Sequence, residues 1–267
     1  MKKYFAYFRM RFLTGLQYRA AALGGLICQF FWGAMEILAF RAFYQSDPAA
    51  FPMTFQALSS YIWLRQALLL LLSFNGLDGE FFSVIQSGNV AYELCRPVGV
   101  YPMWYARSAA SRVSAAFLRC WPTLLVAALI PAPYGLAAPL DLRTFLWFLL
   151  SLFLALCVVT ALGMIVYMTT FHTISPRGVR LIAIGLSDFC MGSIIPLPFF
   201  PDPVRRFLEF LPFSSMGNVP LRIYSGDLCG GEMLWQVALQ AFWAVALVGL
   251  GKLMERFELK HVVIQGG

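Results

Sequence analysis

The sequence predicts an all-α integral membrane protein with six transmembrane helices, and three observations carry that prediction. Sixty per cent of its 267 residues are apolar, 12% are charged and the mean hydropathy is +0.71, whereas soluble domains carry roughly 25% charged residues. Windows of about 20 predominantly apolar residues, each long enough for a hydrocarbon core of about 30 Å, recur along the chain. Lysine and arginine crowd into alternate connections between those windows. The domain plan is a single transmembrane unit: 1–21 as an interfacial helix, 22–253 as a six-helix bundle and 254–267 as a tail.

Residues 2–18 set Phe5, Phe8, Phe12 and Leu16 on one helical stripe, with Lys3 and Thr14 opposite and Lys2 and Arg9 on the flank. The pattern suits either a helix lying on anionic headgroups or a basic lead-in to the first span. Arg9, Arg11 and Arg19 interrupt the apolar run that a cleavable signal peptide needs, so the amino terminus is expected to stay on the protein. Spans are predicted at 22–44, 57–74, 104–130, 144–170, 178–197 and 233–253. Those from 104 and 144 exceed a bilayer's requirement, so their ends are expected to project or tilt. With the amino terminus inside, thirteen cations lie on the inner side: Lys2, Lys3, Arg9, Arg11, Arg19, Arg96, Arg107, Arg112, Arg177, Arg180, Lys252, Arg256 and Lys260. Five lie outside: Arg41, Arg143, Arg205, Arg206 and Arg222. The asymmetry puts both termini in the cytoplasm. Topology and headgroup attraction then account for the net charge of +7 without nucleic acid as a partner.

Two connections stand out, an inner one at 75–103 and an outer one at 194–232. In the first, Asp78 can cap a helix through Phe81, Phe82, Val84 and Ile85, and Gly88 breaks it. Val90, Tyr92 and Leu94 then alternate with Asn89, Ala91 and Glu93 up to Arg96-Pro97, where proline biases Arg96 away from helix. A partly apolar element displayed in the cytoplasm marks a docking site, or else a loop folded on its own helix ends.

The run Ile85-x-x-Gly88-x-Val90-x-Tyr92-x-Leu94-x-Arg96-Pro97-Val98 resembles the cytoplasmic signature of permease subunits of bacterial type-2 class ABC exporters. Ala91, where aspartate is frequent, and Cys95 depart from that pattern. The resemblance implies a coupling helix between the second and third spans that docks on an ATPase, through Phe81, Phe82, Ile85, Gly88, Tyr92, Leu94, Arg96 and Pro97. It further implies two ABC ATPase subunits, which hold the ATP and magnesium while this chain holds no cofactor, and a second identical or related permease. The location it implies is the bacterial inner membrane.

In the outer connection, Pro196, Pro198, Pro201, Pro203, Pro212 and Pro220 forbid a continuous helix from Ile194 to Pro220, although the stretch is largely apolar. Broken backbone near membrane depth survives only where it is buried in protein or lines a water-filled cavity. Val204, Phe207, Leu208 and Leu211 repeat at helical spacing, with Arg205 and Glu209 as an i,i+4 pair. A short outer helix is therefore expected after a partial re-entry at Pro196 to Phe200, with Phe199, Phe200, Phe207, Phe210 and Phe213 as an aromatic girdle. Pro196, Pro198, Phe199, Phe200, Phe207, Leu208 and Leu211 are candidates for an outer gate, and interfacial anchoring is the alternative.

Glu36, Arg65 and Asp188 fall inside apolar windows, where an ionised group costs about 2.5–3.5 kcal/mol. Glu36 and Arg65 lie on consecutive antiparallel spans, so they can pair with each other or line a substrate path; Asp188 has only Ser187 and Ser193 near it in sequence. No phosphate-binding G-x-x-x-x-G-K-[ST], H-E-x-x-H or G-x-S-x-G motif occurs. His172 and His261 are the only histidines, and the six cysteines are scattered without CxxC spacing and read mostly as small core residues. Two functions remain open: an ATP-driven exporter of a drug, lipid or hydrophobic peptide, and an ion-coupled secondary transporter using Glu36 and Asp188. The second lacks an inverted repeat.

Overall fold

Lipid offers the backbone no hydrogen-bond partner, and the chain answers with helix. The computed structural model describes residues 2–17, 19–173 and 176–261; the described residues are 81% helical, with no strand among them. The α-helices are α1 (Lys2–Gly15), α2 (Arg19–Ser46), α3 (Phe55–Ala67), α4 (Leu69–Leu72), α5 (Gly79–Gln86) and α6 (Val90–Leu94). They continue as α7 (Val100–Leu129), α8 (Leu142–Thr169), α9 (Pro176–Met191), α10 (Asp202–Phe210), α11 (Asn218–Tyr224) and α12 (Gly230–His261).

Among the described residues four stretches are long and apolar enough to cross a membrane: Gly24–Ser46, Val100–Leu129, Leu142–His172 and Gly230–Glu258. The other two expected spans are shorter or broken. The second is α3 followed, after Leu68 at φ −100° and ψ 9°, by the single turn of α4. The fifth, α9, has 16 residues, about 24 Å at 1.5 Å per residue. It stops because Gly192 turns the chain with φ +79°, and a Cβ there would strike the backbone N of Leu197.

Helix α8 is the centre. Its buried face runs Ser151, Ala155, Val158, Val159, Thr160, Ala161, Leu162, Gly163 and Met164, small enough to let α12, α11 and α7 approach it closely. Toward the outer side it joins a core of Leu58, Ile62, Trp63, Phe148, Val219 and Ile223. Toward the inner side it joins Phe74, Phe81, Trp104, Met164 and Tyr167. One polar link crosses this apolar body: Ser151 Oγ donates to Gln240 Oε1 at 2.8 Å, and Gln240 Nε2 donates to the Ser215 carbonyl at 2.8 Å.

Helix α1 lies along the first turns of α7. Lys3 Nζ donates to the Pro97 carbonyl at 3.2 Å, and Phe12 meets Phe117 edge to face at 6.3 Å. Phe8 stacks with Phe12, whereas Phe5, expected on the same stripe, points away and is exposed. The cysteines are free; Cys190 is buried, but Cys28, Cys95 and Cys229 are exposed, so the expectation of small core residues fails for those three.

The inner end of the second span depends on Arg112. Its guanidinium, fully buried, donates from Nη1 to the carbonyls of Ser73 at 2.6 Å, Leu71 at 3.4 Å and Leu70 at 3.5 Å. A helix C-terminus leaves such carbonyls without intrahelical partners, and here one cation from α7 supplies the donors. Replacing Arg112 with alanine should lower stability by about 2–3 kcal/mol, the scale of a charge-assisted hydrogen bond lost in the interior. Thermal unfolding in detergent checks this, with Arg112→Lys expected to fall between the two.

Candidate functional site

Three groups of charged residues lie at successive levels from the inner to the outer side. The first group anchors the 78–98 element. Asp78 caps α5, its Oδ1 accepting from Glu80 N at 2.9 Å, and its own N–H donates to Tyr167 Oη at 2.7 Å. Arg107 of α7 donates to Asp78 Oδ2 from Nε at 3.2 Å and from Nη2 at 3.0 Å, and also binds Glu80. The same guanidinium lies 4.5 Å from the ring centroid of Phe81, a cation–π contact.

The element therefore has two faces. Phe81 and Phe82 are buried, packed on Trp104 and Tyr167 at ring separations of 4.8–5.0 Å; they root the element in its own chain and offer nothing to a partner. Ile85 and Gly88 are half-buried, and Gly88 makes the break with φ +72°. Tyr92, Leu94, Arg96 and Pro97 are exposed, Tyr92 by 73%. The segment in which Val90, Tyr92 and Leu94 alternate with Ala91 and Glu93 is a turn of helix, α6, with Val90 turned inward and Arg96 bound to Glu93 at 3.4 Å. In a segment of five residues, period 2 and period 3.6 are poorly distinguished.

The middle group lies among α2, α3 and α9. Arg65 Nη2 donates to Glu36 Oε2, joining α3 to α2, and Arg65 is close enough to Asp188 of α9 to act on it electrostatically. Arg65 Nη1 has no partner among the described residues. Beside it, Tyr61, Arg65, Ser73 and Met191 line a cavity of about 10 Å³, room for about one water molecule. Ser187 Oγ is buried without a partner, and Asp188 is half-buried.

The outer group was not anticipated in sequence. Arg222 of α11 donates from Nη1 to Glu209 Oε1 at 2.6 Å and from Nε to Asp227 Oδ2 at 2.5 Å, all three side chains nearly buried. This overturns the expected Arg205–Glu209 pair. Arg205 turns to Asp202 at 2.9 Å instead, leaving Glu209 to face inward. The outer helix forms as expected with Pro203 in its first turn, but Leu208 and Glu209 are its buried residues while Val204, Phe207 and Phe210 are exposed. Pro196 and Pro198 are buried, Leu211 is half-buried, and Phe199 packs between Phe40 and Phe51 at 5.3 and 5.1 Å. Phe200 meets Phe189 at 5.8 Å. The aromatic residues thus interlock individually with α2, α9 and the outer turns; they do not form one ring.

Among the described residues no group of three or more His, Cys, Asp or Glu side chains could hold a metal ion. His172 Nε2 lies 2.6 Å from Glu258 Oε1, a link between the inner ends of α8 and α12.

A family model described as ABC-2 family transporter protein matches residues 30–266. No curated protein matches the chain.

The middle group makes a separable prediction. Arg65→Met leaves Glu36 without its cation and should cost about 3–5 kcal/mol, the usual penalty for breaking a buried pair. Adding Glu36→Gln should restore most of that loss. A double-mutant cycle on detergent melting temperatures reads both.

Proposed function

The chain belongs to the ABC-2 transporter family, and from that premise we propose that it is the permease subunit of an ATP-driven exporter. The family supplies the membrane component of such transporters and not the ATPase itself. In this reading the chain crosses the bacterial inner membrane six times. The four long helices are joined by α3–α4 and by α9 as shorter spans, and both termini are cytoplasmic. Two ATPase subunits carry the ATP and magnesium, and a second identical or related permease completes the path. The cargo is an amphiphilic drug, a lipid or a hydrophobic peptide, because the walls of the path are apolar.

The observation that carries this reading is the family match over 30–266, which includes the 78–98 element and its exposed tip. The docking surface consists of Tyr92, Leu94, Arg96 and Pro97, with Ile85 and Gly88 at its edge. Closure of the ATPase pair pushes on that tip. Arg107 passes the push from α5 to α7, and Arg112, five residues further on, passes it to the end of α4. The spans tilt, and the path opens past the 194–213 segment. Nothing favours the ion-coupled alternative, since Glu36 is already bound by Arg65.

Tyr92→Ala combined with Arg96→Glu should reduce co-purification of the ATPase by about tenfold or more, the loss of an interface anchor worth about 1.4 kcal/mol. The melting temperature of the permease should not change. Phe81→Ala should do the reverse, lowering stability by about 3–5 kcal/mol as a buried aromatic is lost. Undiminished ATPase capture by the double variant would remove the docking assignment.

A further inference from the structure

Between α2 and α7 the lipid-facing surface carries an apolar groove of about 200 Å³, lined by Leu26, Ile27 and Phe31 on one side and Pro122, Thr123 and Val126 on the other. Ile27 and Phe31 are exposed along it, as membrane-facing residues are. At the foot of this groove, one turn toward the inner side, stands a cation. Arg119 precedes Thr123 by one helical turn, and its guanidinium lies over Gly25, the residue next to Leu26. A Cβ on Gly25 would overlap the guanidinium carbon and both terminal nitrogens, so the absence of a side chain there is what admits the cation to the groove.

Among the described residues no hydrogen bond or ion pair engages the Arg119 guanidinium. Nor is a counter-charge within reach on the neighbouring helices: α1, α7 and α2 up to Met35 contain no aspartate or glutamate. Gly25 is the seventh residue of α2, about 9 Å along the helix from Arg19. From there the long arginine side chain reaches toward the headgroup level, where it meets lipid phosphate. Its planar fork matches two phosphate oxygens at once.

We propose that this groove is a binding site for one anionic phospholipid of the inner leaflet, its phosphate held by Arg119 and one acyl chain laid between α2 and α7. Charge selects the lipid, and the groove only accommodates the chain. The site is separate from the docking surface and from the intramembrane ion pair, so it tunes the permease from its lipid-facing side.

Native mass spectrometry of the full-length chain tests this, after exchange into vesicles of phosphatidylglycerol or of phosphatidylcholine. The wild-type chain should retain one phosphatidylglycerol, about tenfold in preference to phosphatidylcholine, as a charge-assisted contact implies. Arg119→Gln should abolish the preference and Arg119→Lys should weaken it. Gly25→Leu, which expels the guanidinium while keeping the charge, should act like Arg119→Gln. Val126→Trp, which fills the exposed lip of the groove, should reduce retention with Arg119 intact. Equal retention of both lipids by the wild type, or an unchanged preference in Gly25→Leu and Arg119→Gln, overturns the proposal. So does an inter-chain disulfide between Ile27→Cys and Val126→Cys, which would show a second copy filling the groove.

Discussion

The contact of Arg112 with the carbonyls of Leu70, Leu71 and Ser73 is the constraint on which the inner half of the structure depends. A span that ends inside protein leaves acceptors that neither lipid nor water can satisfy. The donor comes from α7, the same helix whose Arg107 holds Asp78 and Glu80 at the start of α5. Two arginines five positions apart therefore grip both ends of the 70–80 segment. The end of α4 and the start of α5 cannot move independently of α7. Phe81 under Arg107, and Tyr167 bonded to Asp78, extend the same grip to α8.

Why the chain uses buried charge for this is a question of magnitudes. An apolar pair of similar volume would often be as stable as a buried ion pair, since desolvation offsets most of the Coulomb gain. What apolar packing does not give is a single register. Arg222 accepts only one arrangement of α10, α11 and the turn at Asp227, because both Glu209 and Asp227 must reach it. Arg65 likewise ties α3 to α2, with Asp188 of α9 within its field. In a bilayer, where helices gain little from burying apolar surface against each other, polar links of this kind carry much of the specificity.

How much of this was legible in the sequence follows from which forces act locally. The four long helices could be read because apolar length is a local property, and their limits differ from expectation by a few residues. The Asp78 cap, the Gly88 break and the short outer helix were equally visible, since each is set by neighbours in the chain. Pairings across the fold were less so. Glu36 and Arg65 stood out because each is a lone charge in an apolar window. Arg222, Glu209 and Asp227 lie in a stretch that reads as an outer loop, where charges are ordinary, and nothing local signals their burial. Phe81 and Phe82 were assigned outward because an apolar helix in a loop suggests docking; only the tertiary positions of Trp104 and Tyr167 turn that face inward.

The proline-broken outer segment shows how such backbone is tolerated. Its free carbonyls do not face lipid but meet donors from α12: Gln240 Nε2 reaches Ser215 O, and Trp243 Nε1 reaches Phe210 O at 3.0 Å. Gln240 is in turn held by Ser151 of α8. Both ends of α12 are thus engaged, the outer part by this segment and the inner part by Glu255, which accepts from Tyr101 N at 2.7 Å, and by Glu258 beside His172. Opening the outer side without moving α12 would strand the buried carbonyl of Ser215, at about the cost of a lost hydrogen bond in the interior, and would break the exposed bond to Phe210 O. Motion at the outer segment must therefore be carried by α12, and through Glu255 and Tyr101 by α7, the helix that already holds the 78–98 element.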